Sequence, residues 1–364
     1  MSQDVTQKPF RSDPEGLSAL VARLAEADGP ADEAGVWSEA LWGLVAGAGA
    51  VRWSLPRSLG GEECDRPTLV GRNARVAQGS LTAAFILSQH DAGVRRLLAA
   101  SDREGARRWL VEIAAGRAFT SVGISQLTTS RRHGTQALRA SEVSPEVFRL
   151  DGVMPWVTAA CRADVIVTGA VLDDGRQLVV AVPADRNGLS IRPPFPLAAL
   201  QASCTSEVAC DGVHVAESDL LAGPSIDVMA HSGATGTGGL ETSALALGQA
   251  RAALDALIAE APKRTELNEP IEALVVAWDD VWAALMDAAR GAPDALPAGQ
   301  VRSQANALVL RVTQAYLTAR KGTGFLRSEP AQRWARQALF FLVWSCPGPV
   351  AQAAIRDLAG LCQA

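Results

Sequence analysis

The pattern of apolar positions divides the chain into three stretches. From about residue 15 to 118, apolar residues recur at helical spacing. Gly16 to Ala27 carries leucines and alanines three and four apart behind an Asp13-Pro14 start signal, and Trp37 to Ala48 repeats the pattern. Pro56 and Gly60-Gly61 break the chain into a loop. Pro67 to His90 and Asp102 to Ala115 predict two further helices. Pro67 suits a first helical position, where no backbone N–H is needed; Asp102 suits an N-cap and Gly116 a stop.

From Phe119 to about Leu221 the runs become short and β-rich: Phe119 to Ile124, Val147 to Leu150, Val165 to Val171, Leu178 to Val182, Leu189 to Ile191 and Val208 to Val215. Asp151-Gly152, Asp173-Asp174-Gly175 and Asp211-Gly212 are turn signals between them. From about Gly238 the helical period returns, in Leu240 to Glu260, Ile271 to Ala289, Val301 to Ala319 and Pro330 to Val343. Met229 to Gly239 is rich in Gly, Ser and Thr and predicts a loop or hinge. The expected fold is α+β: an N-terminal helical domain over 1–118, a middle antiparallel β-barrel-like domain over 119–222 and a C-terminal four-helix bundle over 223–364.

Composition narrows this picture. A chain of 364 residues with 48% hydrophobic and 20% charged residues can bury a large core. The net charge of −5 argues against a nucleic-acid partner, which needs a basic face. No apolar run is long enough to span a bilayer, and Met1 to Arg11 lacks the apolar core of a signal peptide. The cytoplasm is the expected location, with the polar first 15 residues frayed. Cys64, Cys161, Cys204, Cys210, Cys346 and Cys362 form no CxxC pair and are expected as buried free thiols. The four histidines are scattered, so no metal site is expected.

Dispersed motifs carry the functional information. Leu55-Pro56 is followed by Gly60-Gly61. Gly123-Ile124-Ser125-Gln126 comes next, then Leu150-Asp151-Gly152 ahead of Met154-Pro155-Trp156-Val157-Thr158, then Ala202-Ser203-Cys204-Thr205. Leu247 to Asp255, Arg264-Thr265-Glu266-Leu267-Asn268-Glu269-Pro270-Ile271 and Lys321-Gly322-Thr323-Gly324-Phe325 complete the series. Singly, each has an ordinary explanation: Trp156 as core, Arg264 as a solvated charge, the glycines as a helix stop. In this order, over about residues 50 to 345, they resemble the acyl-CoA dehydrogenase family.

The resemblance implies FAD as cofactor. It implies that Ser125, Trp156 and Thr158 face the isoalloxazine, with hydroxyl or backbone donors near N5 and O4 and an aromatic wall. Arg264 matches the pyrophosphate ligand, whose planar fork pairs two oxygens. Gly322 and Gly324 match a turn where backbone approaches the cofactor closely. In the family this Arg and this turn reach a neighbouring subunit's flavin, so a homodimer or homotetramer is implied. The implied substrate is an acyl thioester, on CoA or on a carrier protein, with an electron-transfer partner or oxygen as reoxidant.

The sequence departs from the family where the base should be. Dehydrogenation next to a thioester needs a carboxylate to take the α-proton. Counting on from Arg336-Gln337-Ala338 places Ser345 where the usual Glu stands, and a hydroxyl alone cannot deprotonate carbon. Some members carry the Glu at the start of the long helix; that position is Gly238, with Glu241 three residues on, about one helical turn. Gln126-Leu127 replaces a Glu-Pro, and Lys321 replaces the first glycine of the late turn. Arg131 and Arg132, with His133, form a small basic cluster suited to an anionic substrate group. Three functions stay open, with an enzyme favoured: an FAD-dependent oxidoreductase acting on the CH–CH group of an acyl thioester, with Glu241 as base; a flavin-dependent monooxygenase-like relative; and a catalytically degenerate scaffold or regulatory paralogue.

Overall fold

The structure, a computed structural model, describes residues 15–128, 137–231, 239–344, 346 and 348–361. Five helices open it: α1 (Glu15–Ala34), α2 (Glu39–Gly47), α3 (Arg66–Gly79), α4 (Leu81–Ala99) and α5 (Glu104–Ala114). The strands are β1 (Thr120–Gly123), β2 (Leu138–Ser144), β3 (Val147–Val157), β4 (Val165–Leu172), β5 (Gln177–Pro183), β6 (Leu189–Ile191), β7 (Ser206–Ala216) and β8 (Leu220–Ser225). A short α6 (Val228–His231) precedes α7 (Leu240–Glu260), α8 (Asn268–Arg290), α9 (Ala298–Arg320), α10 (Pro330–Ala338) and α11 (Gly348–Leu358).

The helix–sheet–helix order is the expected one, with informative differences inside it. The run expected as one helix from Pro67 to His90 is two helices. Ser80 sits between them in extended conformation (φ −153°), its hydroxyl accepting from Ala83 N–H and donating to the buried Asp28 carboxylate at 2.6 Å. The preceding Gly79 lies so close to α1 that a Cβ there would stand 2.7 Å from the Val21 carbonyl oxygen. A tertiary contact therefore ends α3. Asp102 does not cap α5; Arg103 holds that position without a side-chain bond.

The sheet runs in the order β6-β7-β3-β2-β4-β5-β8, with β1 on β4. Most neighbouring pairs are antiparallel, but β1 and β2 both pair with β4 in parallel, so the sheet is mixed. Strands β2 and β8 have no counterpart in the sequence pattern: Leu138–Ser144 buries only two positions, and Leu220–Ser225 pairs through irregular register. Strand β4 is buried at every position, which fits a strand covered on both faces. Its outer cover is α4 and α5, through Leu97, Leu110 and Ile113 packed with Val165, Val167 and Val179.

Helix α7 is the axis of the helical core. Its side chains from Leu240 to Leu257 are largely buried on all sides. Trp278 of α8 donates from Nε1 to the Leu247 carbonyl at 3.0 Å. Against α3 the two backbones nearly touch: a Cβ on Gly248 would stand 2.0 Å from the Ala74 carbonyl oxygen. A second clamp ties α1 to α10, where the almost fully buried Asp28 and Arg333 pair at 2.8 Å and Arg336 pairs with Asp32 at 2.7 Å. On helix propensity alone, Gly248→Ala would stabilise by about 1 kcal/mol. The backbone contact reverses the sign: the variant should lose about 1–3 kcal/mol, as overpacked cores do. A lower urea midpoint at unchanged slope checks this, and a raised midpoint would refute it.

Candidate active site

Trp156 and Thr158 lie together at one corner of the sheet, at the end of β3. Met154 and Val157 of β3 are both buried although three apart, because an irregularity in the β3–β7 pairing between them breaks the alternation and leaves Trp156 facing outward. Trp156 is 49% exposed, with one face against Phe195 at 4.7 Å between ring centroids. Beyond the strand end, Thr158 is buried. Its carbonyl accepts from Ser121 Oγ at 2.6 Å, and its Oγ1 accepts from Thr205 Oγ1 at 3.3 Å. Thr205 and Ser203 hydroxyls are 2.9 Å apart, and Ala159 N–H donates to the Ser203 carbonyl at 2.8 Å. Three non-glycine residues here, Ala159, Leu200 and Cys204, have φ between 47° and 58°. Such backbone is costly and gathers at functional corners.

Ser125 hangs from the same sheet, one residue past Ile124 at the end of β1, in the single turn Ser125–Leu127. Its Oγ is buried without a hydrogen-bond partner, a cost that a bound acceptor would relieve. Gln126 does not face outward. Its Nε2 lies within 3.0 Å of the Gly123 and Gly169 carbonyls and Thr168 Oγ1, so it plugs the turn and fixes Ser125. An unpartnered buried hydroxyl and a half-bare indole are groups of the kind that suit the polar edge and the face of a planar heterocycle.

Arg264 and the glycine turn form a second group. Arg264 pairs with Glu266 at 3.0 Å and donates to the Ala319 carbonyl, which ties it to the end of α9. The next residues make the turn: Lys321 has φ 52° and ψ −146°, a conformation suited to glycine. Gly324 is buried against Arg320, whereas Gly322 is exposed with open space around it and Phe325 is 77% exposed. This group sits at the far end of α7, about 30 Å of helix from Glu241. Within one chain it is therefore remote from the start of α7.

A third group was not anticipated from sequence. Asp91 on α4 is fully enclosed; its Oδ1 accepts from Ser54 Oγ at 3.4 Å, and the Asn73 side chain also bonds to it. Arg95, one turn on, reaches Glu241 at 3.7 Å. Asn73 Oδ1 is buried without a partner. The start of α7 thus holds two carboxylates and a guanidinium. Beside it, His90 accepts weakly from Thr120 N–H on β1, and burial lowers its pKa to about 4, so it is neutral. Ser345, Arg131, Arg132 and Gly238 lie outside the described residues. The approach to Ser345 is pinned, because buried Arg302 donates to the Trp344 carbonyl at 2.8 Å and Asn306 to the Phe341 carbonyl at 2.9 Å.

No family model matches the chain. A probable acyl-CoA dehydrogenase of Bacillus subtilis (strain 168) is 30% identical over 167 residues, 44% of each protein. That match spans less than half of the relative. Benzylmalonyl-CoA dehydrogenase of Aromatoleum aromaticum (strain DSM 19018 / LMG 30748 / EbN1) is 27% identical over 252 residues, 68% of this chain and 67% of the relative. Among solved structures, butyryl-CoA dehydrogenase of Megasphaera elsdenii superposes with TM-score 0.78 over 97% of this chain and 99% of its own, at 17% identity. The chain resembles acyl-CoA dehydrogenases in sequence and shares their fold. The same fold is found in dibenzothiophene monooxygenase of Paenibacillus sp. A11-2, with TM-score 0.77, 17% identity and 95% of each chain covered.

Asp91 is the site feature of this acyl-CoA dehydrogenase-like protein that the sequence reading passed over. The available signal was an acid inside the apolar run Ala83 to Val94. Burial raises its pKa from 3.8 to about 7; the Arg95 charge and Ser54 hydroxyl lower it only in part, and Glu241 adds to the rise. The folded protein therefore keeps a proton that the unfolded chain releases near pH 4. The stability tied to this group is full below that pH and is lost as pH climbs toward 7. Asp91→Asn should gain stability over wild type as pH rises from 4 to 8, by on the order of a few kcal/mol at most. Parallel stability–pH curves for the two proteins would show that Asp91 does not carry the proton.

Proposed function

We propose that the protein is an FAD-dependent oxidoreductase acting on the CH–CH group of an acyl thioester. The observation that supports this best is the corner where Trp156 stands half bare and Thr158 ends a buried chain of hydroxyls, together with the partnerless Ser125 Oγ in the turn after β1. FAD, when bound, supplies the hydride acceptor. Trp156 and Phe195 wall its ring face, and Ser125 and Thr158 orient its polar edge. Arg264 holds the pyrophosphate. Because that Arg and the open Gly322 turn lie at the opposite end of α7, they serve the flavin of a second copy in a homodimer or homotetramer.

Glu241 takes the α-proton of the substrate. Arg95 orients it, and the enclosed Asp91, whose proton is held by burial up to about pH 7, keeps a third full charge out of the same space below that pH. Arg131 and Arg132 receive an anionic part of the substrate carrier, and Ser345 occupies the usual base position without acting as base. An electron-transfer protein or oxygen removes the electrons.

A second reading has its own support. The monooxygenase that shares the fold has also been solved with FMN bound. In this chain a monooxygenase-like reaction would need no thioester base, which accords with Ser345. FMN lacks the pyrophosphate, so Arg264→Ala separates the two: it weakens FAD binding and leaves FMN binding unchanged.

The purified protein should show flavin absorption that bleaches anaerobically with a matching acyl-CoA. Glu241→Gln should keep the flavin peaks while slowing bleaching on the order of 10²-fold or more, the span of a lost general base. Bleaching at the wild-type rate would remove Glu241 from the role. A flavin that ignores thioesters and turns over oxygen with an external reductase would select the second reading. A colourless protein that takes up no flavin would leave the scaffold.

A further inference from the structure

The corner that carries Thr158 also holds two thiols, from turns at the paired ends of β3 and β7. Cys161 lies in the turn Ala160–Arg162 after β3, and Cys204 follows the turn Gln201–Ser203 just before β7. These strands are antiparallel neighbours, with Val157 opposite Ser206. The bonds from Ala159 N–H to the Ser203 carbonyl and from Thr205 to Thr158 hold the two turns together. The Cys161 and Cys204 side chains are hydrogen-bonded to each other.

The two differ in every property that sorts attacking from resolving thiols. Cys161 is exposed, contrary to the expectation of buried thiols, because its turn lies outside the sheet; Cys204 is buried. The Cys204 S–H stabilises a Cys161 thiolate, and the neighbouring Arg162 adds to this, while Glu39, paired with Arg162 at 3.5 Å, opposes it. The Cys161 pKa is lowered to about 7 in consequence. Cys204 moves the opposite way, through that same bond and its burial, and the Trp37 N–H points at its sulfur. Cys210, by contrast, is pushed up to about 12 by burial and is inert.

We propose that Cys161 and Cys204 form a peroxide-reactive dithiol, in which Cys161 is oxidised first and Cys204 resolves it to an intramolecular disulfide. The Cys161 thiolate attacks one oxygen of hydrogen peroxide; the O–O bond breaks, hydroxide leaves and takes up a proton to become water, and a sulfenic acid remains. The Cys204 sulfur then attacks the Cys161 sulfur, the S–S bond forms, and the sulfenic oxygen departs with the Cys204 proton as a second water. Two thiols and one peroxide thus give one disulfide and two waters. An exposed, activated thiol next to a partner is the pattern of redox-responsive cysteines. The crosslink would staple the ends of β3 and β7, and this inference stands whether or not a flavin binds.

The full-length protein, treated with stoichiometric hydrogen peroxide and then alkylated in denaturant, should lose two of its six reactive thiols. Peptide mapping should find Cys161 joined to Cys204, reversibly with a reductant. Cys161→Ser, a surface change, should abolish the crosslink and leave the other five thiols unoxidised. Cys204→Ala should let Cys161 sulfenic acid accumulate, trapped by dimedone, and should slow Cys161 alkylation at pH 7 several-fold as its pKa returns toward 8.5. Six alkylatable thiols after peroxide, a crosslink between other cysteines, or a Cys161 alkylation rate unaffected by Cys204→Ala would each overturn the proposal.

Discussion

The close approach of backbone to backbone between two long helices, Gly248 of α7 against the Ala74 carbonyl of α3, is the constraint on which the rest depends. No side chain larger than hydrogen fits there without movement. Because the two helices cannot be spaced apart by side chains, their relative position is set by main chain, which deforms far less than rotamers do. The consequence reaches the site directly. Helix α3 runs through Ser80 into α4, and α7 starts eight residues before the contact, so the contact fixes how the start of α7 faces α4. Asp91, Arg95 and Glu241 converge because of it. Gly79 against α1 repeats the same device at the outer edge of the bundle, where the buried Asp28–Arg333 ion pair adds a side-chain clamp.

The sheet corner works by a different economy. Its turns concentrate left-handed backbone at Ala159, Leu200 and Cys204, and tie it down with short hydroxyl and amide bonds among Ser121, Thr158, Ser203 and Thr205. Such a corner is rigid without being apolar. That rigidity suits a surface that must present hydroxyls and an indole in fixed directions, and it holds two thiols of opposite character side by side. The unsatisfied Ser125 hydroxyl is the counterpart: a group whose cost makes sense when something else completes it.

Much of the architecture was legible because it is local. Helical spacing in Leu240 to Glu260 and the short β runs with Asp-Gly turns are patterns that a few neighbouring residues encode. The breaks that escaped notice were tertiary. Ser80 ends a helix because α1 crosses at Gly79, and β2 and β8 pair without a strong alternation of their own. In the site, Trp156 and Thr158 stood in a readable motif, whereas Asp91 looked like one acid among apolar residues. Gln126 looked like a lost acid; in three dimensions it is the plug that sets Ser125.

By itself the sequence determined the order of helices and strands, the positions of the Trp156 corner and the Arg264 and Gly322 group, and the absence of a carboxylate at Ser345. These follow from residue type and spacing along the chain. Only the tertiary structure decided that Asp91, Arg95 and Glu241 converge at the start of α7 and that Arg264 lies a full helix length from it. It alone joined Cys161 to Cys204 across 43 positions of sequence, the difference of their numbers. Burial, which moves the Asp91 proton, and proximity, which activates Cys161, are properties of the space between elements, and neither is written in the order of residues.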